Sequence, residues 1–222
     1  MAYEYLLFNL LVLTGPVLFS FDQRVRFVAH WPRAGLAVAA VAPFFLAWDV
    51  LVAGRHWWFN PRYTAGPAVL GLPAGEWLFF ITVPFACLFI WQIFTHDHPH
   101  PVSRSAKFIP AVIGAAVVAA LVAITAGKEY TALSLSVFSL AVYIGRVHRI
   151  FDRSFLFYFL LILFGLILLC NGYLTARPVV LYDDLYITGW RIYTIPIEDF
   201  FYGYALVFLS VAIYERLRRR IG

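Results

Sequence analysis

Seven apolar runs dominate this sequence and make the lipid bilayer its solvent. A membrane-spanning helix needs about 20 mostly apolar residues, and capped segments of about 17 still qualify. Of the 222 residues, 63% are hydrophobic and only 13% are charged, which excludes the usual balance of a soluble domain. The runs predict seven transmembrane helices, at Tyr3–Phe19, Gly35–Ala53, Trp77–Phe94, Phe108–Ala126, Tyr130–Gly145, Phe155–Cys170 and Phe200–Tyr214.

The basic residues are distributed unequally between the two faces that seven spans define. One face carries 12 of the 17 Lys and Arg residues, including the C-terminal RLRRRIG, and the other carries 5. Since basic residues collect on the cytoplasmic side, we expect an inner-membrane protein with its N-terminus outside and its C-terminus cytoplasmic. The basic tail is typical of an anchor on anionic membrane lipid, and we expect no nucleic-acid partner. Because the first run is too long for a cleaved signal peptide and has the acid Glu4 near its start instead of basic residues, we expect that run to be retained.

Two acidic segments each stand at the start of an apolar run. The second is IPIEDFFYGY at 195–204, and a weaker version, LPAGEWLFF, lies at 72–80. A proline followed by carboxylates suits the positive N-terminal turn of a helix. When the two prolines are aligned, Glu76 lies opposite Asp199. The pattern indicates an internal duplication with one acidic site in each half.

The span between the halves decides whether the two acidic sites can meet. A three-span repeat placed directly after another would be inverted, but here Phe108–Ala126 lies between them and restores the direction. We therefore expect an all-α polytopic membrane bundle made of two parallel three-helix repeats, 1–95 and 129–222, joined by a linker with the fourth helix, 96–128. Both acidic sites then lie at one face and border one cavity.

A further acid and two aromatic loops accompany these sites. Asp49 lies inside the second span, where a carboxyl is costly and is a functional candidate, although it could instead pair with Arg55 or Arg62. The loops Gly54–Leu72 and Asn171–Ile195 are long and rich in aromatic and polar residues. Such loops are either an interfacial belt or the walls of a pocket.

Several other chemistries are disfavoured by the sequence. The HDHPH segment at 96–100 is one isolated cluster in a proline-broken loop, so we expect a solvated loop and no metal. No dinucleotide or P-loop fingerprint occurs, so we expect no bound cofactor. A retinal protein would need a lysine in its last span, whereas Lys107 and Lys128 are both in loops.

The sequence resembles the lycopene cyclase domain family, in which a P-x-E-[ED] motif begins the last span of each half. Gly75 stands where the family usually has the first acid. The resemblance covers nearly the whole chain and rests on WDV at 48–50, HWWFN at 56–60, LPAGEWLFF at 72–80, NGYLT and RPVVLY within 171–182, and PIEDFFYGY at 196–204.

The resemblance implies a membrane carotenoid cyclase, fused from two three-span subunits, that converts the linear end groups of lycopene or a related linear carotenoid to β-ionone rings. Lycopene would give γ-carotene and then β-carotene without redox change. A proton is added to the terminal double bond, the internal double bond attacks the carbocation, and a proton is lost. A C40 polyene dissolves only in the bilayer, and protonating an alkene needs an acid in a dry site. The sequence meets both demands.

The resulting hypothesis gives each candidate a role. Glu198 is the leading proton donor or base, Asp199 and Glu76 share protons with it, and Asp49 supports them or acts as base. The alternative is that these carboxyls only cap helices and pair with loop arginines. Asn171 and Arg191 would orient the site, and the substrate-binding candidates are Trp57, Asn60, Phe79, Phe80, Asn171, Tyr182, Arg191, Phe200, Phe201 and Tyr202.

Three other functions stay open at this point: a carotenoid hydratase, a non-catalytic carotenoid-binding subunit, and a small-solute transporter. The transporter is disfavoured because the acids collect on one side. The sequence also leaves open whether the chain acts alone or as a homo-oligomer.

Overall fold

Seven α-helices form the protein in a computed structural model that describes residues 3–64, 66, 68–98 and 106–221. The prediction of seven helices is confirmed within these residues. The helices are α1 Glu4–Phe19, α2 Trp31–Val52, α3 Ala74–Asp97, α4 Ile109–Thr125, α5 Glu129–Val147, α6 Leu156–Ala176 and α7 Ile197–Ile221. Short 3-10 turns lie at Phe27–His30, Ala106–Phe108 and Ile150–Asp152.

Several helix ends differ from the apolar runs. The helix α6 continues through Ala176, so Asn171 is helical and not part of the following loop as predicted. The helix α7 includes Glu198 and Asp199 in its first turn and continues through the basic tail to Ile221. Apolar runs end where polar residues begin, whereas a helix ends where its backbone hydrogen bonds end, and this explains the difference.

Among the described residues, five helices are long and apolar enough to cross a membrane, which makes this an integral membrane protein. These are α2, α3, α5, α6 and α7. The other two, α1 and α4, are apolar but shorter, with 16 and 17 residues. Length and composition therefore support five of the seven predicted spans directly.

The helices α3 and α7 run parallel to each other. At their starts, Glu76 and Asp199 border the same cavity. About 15 residues further along both helices, the Trp91 indole donates to Glu215 Oε1 over 2.9 Å. The helix α1 begins beside the start of α3, and α5 begins beside the start of α7, because Tyr5 and Tyr130 contact the acids there. We call this common start of α1, α3, α5 and α7 the acidic end.

In the described part of the chain, four short strands lie in the loops of the acidic end. The strands β1 Trp57–Phe59 and β2 Val180–Tyr182 pair antiparallel, with Trp57 opposite Tyr182. A second pair is formed by β3 Arg191–Ile192 and β4 Ile195–Pro196. Since β1 belongs to the first half and β2 to the second, their hydrogen bonds join the two halves above the helices.

A buried polar network joins the halves at the opposite end of the bundle. Arg33 of α2 donates to the Tyr214 hydroxyl over 2.6 Å, and Tyr214 donates to Gln92 of α3 over 2.7 Å. Glu215 pairs with Arg153 over 3.0 Å, and both side chains are less than a tenth exposed. Charges at this depth persist because each has an opposite charge or a hydrogen-bond partner. The network fixes α7 against α2 and α3.

Candidate active site

The acidic end opens into a cavity of about 840 Å³ between α1, α3, α6 and α7. Most of its wall is apolar, and its carboxyl groups gather near the loops. Four acids line it, of which Glu4 pairs with Arg177. The other three are Asp49, Glu76 and Asp199. Their side chains belong to α2, α3 and α7 and are 2%, 7% and 3% exposed. The cavity therefore combines a hydrophobic channel with a nearly dry acidic terminus.

Asp49 and Glu76 form a carboxyl pair. Both line the cavity, and their side chains lie close enough to interact directly. The Tyr5 hydroxyl donates to Glu76 Oε2 over 2.6 Å, and the Tyr202 hydroxyl donates to Asp49 Oδ1 over 3.0 Å. Two carboxyl groups can share a hydrogen bond only when one of them carries a proton, because an ionised carboxylate accepts but does not donate. A proton shared by these two carboxyls would face the cavity.

Asp199 has a different set of partners. It accepts hydrogen bonds from the Tyr130 hydroxyl over 2.7 Å, from the Tyr182 hydroxyl over 2.8 Å, and from the Asn171 amide over 3.4 Å. Burial and the neighbouring Asp199 charge hold the pKa of Tyr182 well above its usual range, so its hydroxyl remains a donor. Three donors suit an ionised carboxylate. The cavity therefore has two neighbouring carboxyls on one side and, on the other, a carboxyl that accepts three hydrogen bonds.

The two sides repeat one arrangement. Tyr5 contacts Glu76 at the first acidic helix start, and Tyr130 contacts Asp199 at the second. Each tyrosine follows a glutamate at the first turn of its helix, in the EY dipeptides at 4–5 and 129–130. This repetition supports the internal duplication. The EY repeat is also the sequence signal that would have located both tyrosines, which the sequence analysis missed.

The residue before each cavity acid lies away from the cavity. The Glu198 side chain is 0% exposed and is not among the residues that line the cavity. Its Oε1 atom accepts hydrogen bonds from the Thr131 hydroxyl over 2.6 Å and from the Thr188 hydroxyl and backbone N–H, each over 2.8 Å. These contacts join the start of α7 to α5 and to the preceding loop.

Gly75 occupies the corresponding position in the first half. A Cβ atom built on Gly75 would lie 2.5 Å from the Tyr5 ring, which is far closer than a contact allows. Glycine at this position is what allows Tyr5 to approach Glu76. Gly75 stands where the resemblance implies an acid. The matching residue of the second half, Glu198, contacts protein rather than the cavity.

The structure separates the proposed substrate-binding residues into two groups. Those that line the cavity are Trp57, Phe79, Phe80, Asn171, Tyr182 and Tyr202. Those that do not are Asn60, Arg191, Phe200 and Phe201.

The second group makes local contacts instead. Asn60 accepts a hydrogen bond from the backbone N–H of Arg62 over 3.1 Å, and Arg191 pairs with Asp184 over 2.7 Å. The rings of Phe200 and Phe201 pack on Phe164 and Phe138, each with 5.3 Å between ring centroids.

Asp49 does not take the arginine partners considered from the sequence. Arg55 instead pairs with Glu129, and the Arg62 guanidinium lies over the Tyr63 ring at 5.9 Å. Glu129 also contacts His56 Nε2 over 3.1 Å. The His56 side chain is fully buried, stacks on Tyr186 at 4.3 Å, and has its pKa lowered below the ordinary value by burial.

No group of three or more His, Cys, Asp or Glu side chains is placed to hold a metal ion in the part of the chain that the structure describes. Of the HDHPH segment, His96, Asp97 and His98 are described, and Pro99 and His100 lie outside the described residues.

Fold and site together define a class: helical membrane proteins that present buried carboxyls to an apolar cavity. The family model described as lycopene cyclase matches residues 2–94 and 127–217, which is most of the chain. The chain therefore belongs to the lycopene cyclase family, as the sequence resemblance predicted, and family membership assigns it to the carotenoid cyclases. Each matched segment contains one of the EY tyrosines together with the acid that it contacts. No curated protein and no solved structure matches the chain.

Proposed function

We propose that this protein is a lycopene β-cyclase that converts the linear ψ end groups of lycopene into β-ionone rings, giving γ-carotene and then β-carotene. The observation that carries the proposal is the position of three buried carboxyls at one end of a long apolar cavity. A linear hydrocarbon fits the channel, and its end group then lies against the acids. Membership of the lycopene cyclase family supports the same substrate.

The first step is proton transfer from the Asp49–Glu76 pair to the terminal double bond. Hydrogen bonds donated by Tyr5 and Tyr202 orient the two carboxyls at the cavity. Proton transfer by a positioned side chain contributes about 10²- to 10⁴-fold to a rate. The pair is nearly excluded from water, so the alkene competes with few other bases for this proton.

Protonation leaves a tertiary carbocation, which the nearby internal double bond attacks to close the six-membered ring. The new cation in the ring is stabilised by the Asp199 charge and by aromatic faces. A desolvated cation over an aromatic face gains about 2 kcal/mol. The aromatic side chains that line this part of the cavity are Trp57, Phe79, Phe80 and Tyr202.

The last step is proton loss from the ring carbon to Asp199, which forms the ring double bond. One proton enters the substrate and one leaves, so the product is an isomer of the substrate and no redox partner is consumed. The proton taken up by Asp199 returns to the Asp49–Glu76 pair before the next turnover. In this scheme Glu198 is a positioning residue, because its contacts are to Thr131 and Thr188.

We place the acidic end at the outer side of the inner membrane and the basic tail in the cytoplasm. The excess of Lys and Arg at the other end supports this orientation. The helices α1 and α4 then cross as well, since a span of 16 or 17 residues is accommodated by local thinning of the bilayer at modest cost. A reporter that is active only in the cytoplasm, fused to the C-terminus, should be active; an inactive but stable fusion would reverse the orientation.

The direct test is expression of the chain alone in a bacterial host that accumulates lycopene, followed by product separation and mass spectrometry. The expected products are γ-carotene and β-carotene, with the mass of lycopene. The matched control is the Asp49→Asn, Glu76→Gln double variant, which should accumulate in the membrane and leave lycopene linear. A product heavier by one water would instead indicate a hydratase. Unchanged lycopene that co-purifies with the wild-type protein would indicate a carotenoid-binding subunit.

A further inference from the structure

The cavity continues away from the acids as a groove between α1 and α6. The helix α1 packs chiefly on α3, and α6 packs on α7 and α3, so no extensive contact joins α1 to α6. The groove is lined from α1 by Leu7, Leu11 and Phe19, which are also 59%, 73% and 63% exposed. Leu169 of α6 lines it and is 70% exposed. Side chains that face both a groove and the surroundings mark a lateral opening toward lipid.

Near the acids, contacts between described residues close this opening. Glu4 at the start of α1 pairs with Arg177 over 2.6 Å and accepts a hydrogen bond from Tyr173 over 2.6 Å. The rings of Phe8 and Tyr173 stack with centroids 5.4 Å apart. We call Glu4, Phe8, Tyr173 and Arg177 the latch. The latch holds α1 to α6 beside the acidic end. The gap between these two helices therefore lies farther from the acids, along the second half of α1.

The length of the groove sets how a linear substrate can lie in it. From Glu76 to Ile90, both of which line it, α3 rises about 21 Å at about 1.5 Å per residue. The acids are at one end of this distance, and the described cavity has no second acidic cluster at the other. One end group reacts at a time, and the rest of the chain extends along the groove toward the gap.

Gly15 lies beside the gap. It lines the groove ten residues after Tyr5, which places it about 15 Å below the acidic end. A Cβ atom at Gly15 would meet nothing within 4 Å, so the space in front of it belongs to the groove and not to a packed neighbour. Any larger side chain at this position extends into that space.

We propose that the gap between α1 and α6 is the doorway through which a linear carotenoid enters the groove from the bilayer. The unreacted part of the bound chain extends out through the same doorway, and Gly15 keeps the doorway open. This inference rests on the proposed function. It assigns Gly15 as a residue that determines substrate length. A larger side chain there blocks long substrates, but it does not block substrates short enough to end between the acids and Gly15.

The test replaces Gly15 by Phe and measures cyclisation of lycopene and of a short linear isoprenoid with the same end group, whose chain ends within about 15 Å. The matched control is Gly114→Phe on α4, where a Cβ atom also meets nothing within 4 Å and which does not line the groove. We expect Gly15→Phe to lose about tenfold or more on lycopene and to keep its rate on the short substrate. Gly114→Phe should match wild type on both.

A second pair of variants does not depend on how a glycine is replaced. Leu11→Trp enlarges a groove residue that is 73% exposed, and Leu18→Trp enlarges a 67% exposed residue of the same helix that does not line the groove. We expect selective loss on lycopene for Leu11→Trp alone.

The outcomes separate this inference from the proposed function. If the wild-type protein fails to cyclise lycopene, the proposed function fails. If the wild-type protein is active and the groove variants match their controls on lycopene, or lose both substrates equally, the doorway is elsewhere.

Discussion

The Tyr202 hydroxyl of α7 donates a hydrogen bond to Asp49 Oδ1 of α2 over 3.0 Å. This contact joins the two halves of the duplicated chain at the acidic end, because Asp49 belongs to the first matched segment and Tyr202 to the second. Asp49 in turn lies beside Glu76. The carboxyl pair of the first half is therefore completed by a side chain of the second half, and we expect neither half to be active without the other.

Replacing either member of the carboxyl pair should remove the shared proton. For Asp49→Asn and for Glu76→Gln we expect cyclisation to fall by about 10²- to 10⁴-fold, because an amide fills the same space without acting as an acid. Initial rates in isolated membranes measure this loss. Asp22→Asn in the exposed loop after α1 is the control and should retain the wild-type rate. Wild-type rates in either pair variant would remove the pair from the mechanism.

The neighbours Glu198 and Asp199 should respond differently to substitution. Asp199→Asn should abolish most cyclisation, because an amide does not take up the ring proton. Glu198→Gln should keep most of the activity but lower the free energy of unfolding by about 1–3 kcal/mol, since it weakens buried hydrogen bonds to Thr131 and Thr188. Rates together with thermal unfolding in detergent distinguish the two. The reverse pattern would return Glu198 to the chemistry.

The hydroxyl groups of Tyr5 and Tyr130 should raise the cyclisation rate through their hydrogen bonds to the cavity acids. Tyr5→Phe and Tyr130→Phe each remove a hydrogen bond to a cavity carboxyl, of a kind worth about 1.5–3 kcal/mol. We expect cyclisation rates to fall by roughly ten- to a hundredfold, as 1.4 kcal/mol is a factor of ten. Tyr3→Phe, at a side chain that is 62% exposed, is the matched control. Equal rates in all three variants would show that the phenols only fill space.

Restoring the family's usual acid at Gly75 should lower activity rather than raise it. A side chain there would meet the Tyr5 ring at 2.5 Å and displace it from Glu76. We expect both Gly75→Glu and the smaller Gly75→Ala to reduce the cyclisation rate. Gly35→Ala in α2 is the control, because a Cβ atom there meets nothing within 4 Å. Higher activity in Gly75→Glu would mean that a second acid at this position reaches the cavity.

His56 should make the acidic-end loops sensitive to mild acid. Burial, the largest cause, and the charge of Arg55 lower the pKa of His56 below its ordinary value of 6.5, while Glu129 opposes this shift. The unfolded chain therefore binds more protons than the folded protein just below pH 6.5, so stability falls as the pH falls through this range. The thermal stability of wild type relative to His56→Gln should decrease from pH 7 to pH 5. His96→Gln, at an exposed position, should leave the pH profile unchanged.

The sequence predicts the helices and the acidic end because both depend on local features. Apolar length determines where helices form, and a proline with a carboxylate marks the start of α3 and of α7. The choice between Glu198 and Asp199 is not local. Adjacent residues on a helix point about 100° apart, so only the position of α5 and of the loop at Thr188 decides which side chain faces the cavity.

The tyrosine donors were missed for a related reason. Tyr5 lies 71 residues before Glu76 and Tyr130 lies 69 before Asp199. A tyrosine near a helix end in a membrane protein is typical of an interfacial belt. Only the packing of α1 on α3, and of α5 on α7, shows that these two are buried donors.

Asn171 contacts Asp199 on the second side of the cavity, where Asp49 contacts Glu76 on the first. An aspartate at both positions would give a symmetric chamber with two equivalent acid pairs, and nothing would distinguish a source of protons from a sink. In the proposed mechanism, the amide leaves a single carboxylate facing the pair. Gene duplication would thus have provided two similar walls, and one exchange of acid for amide would have given proton movement between them its direction.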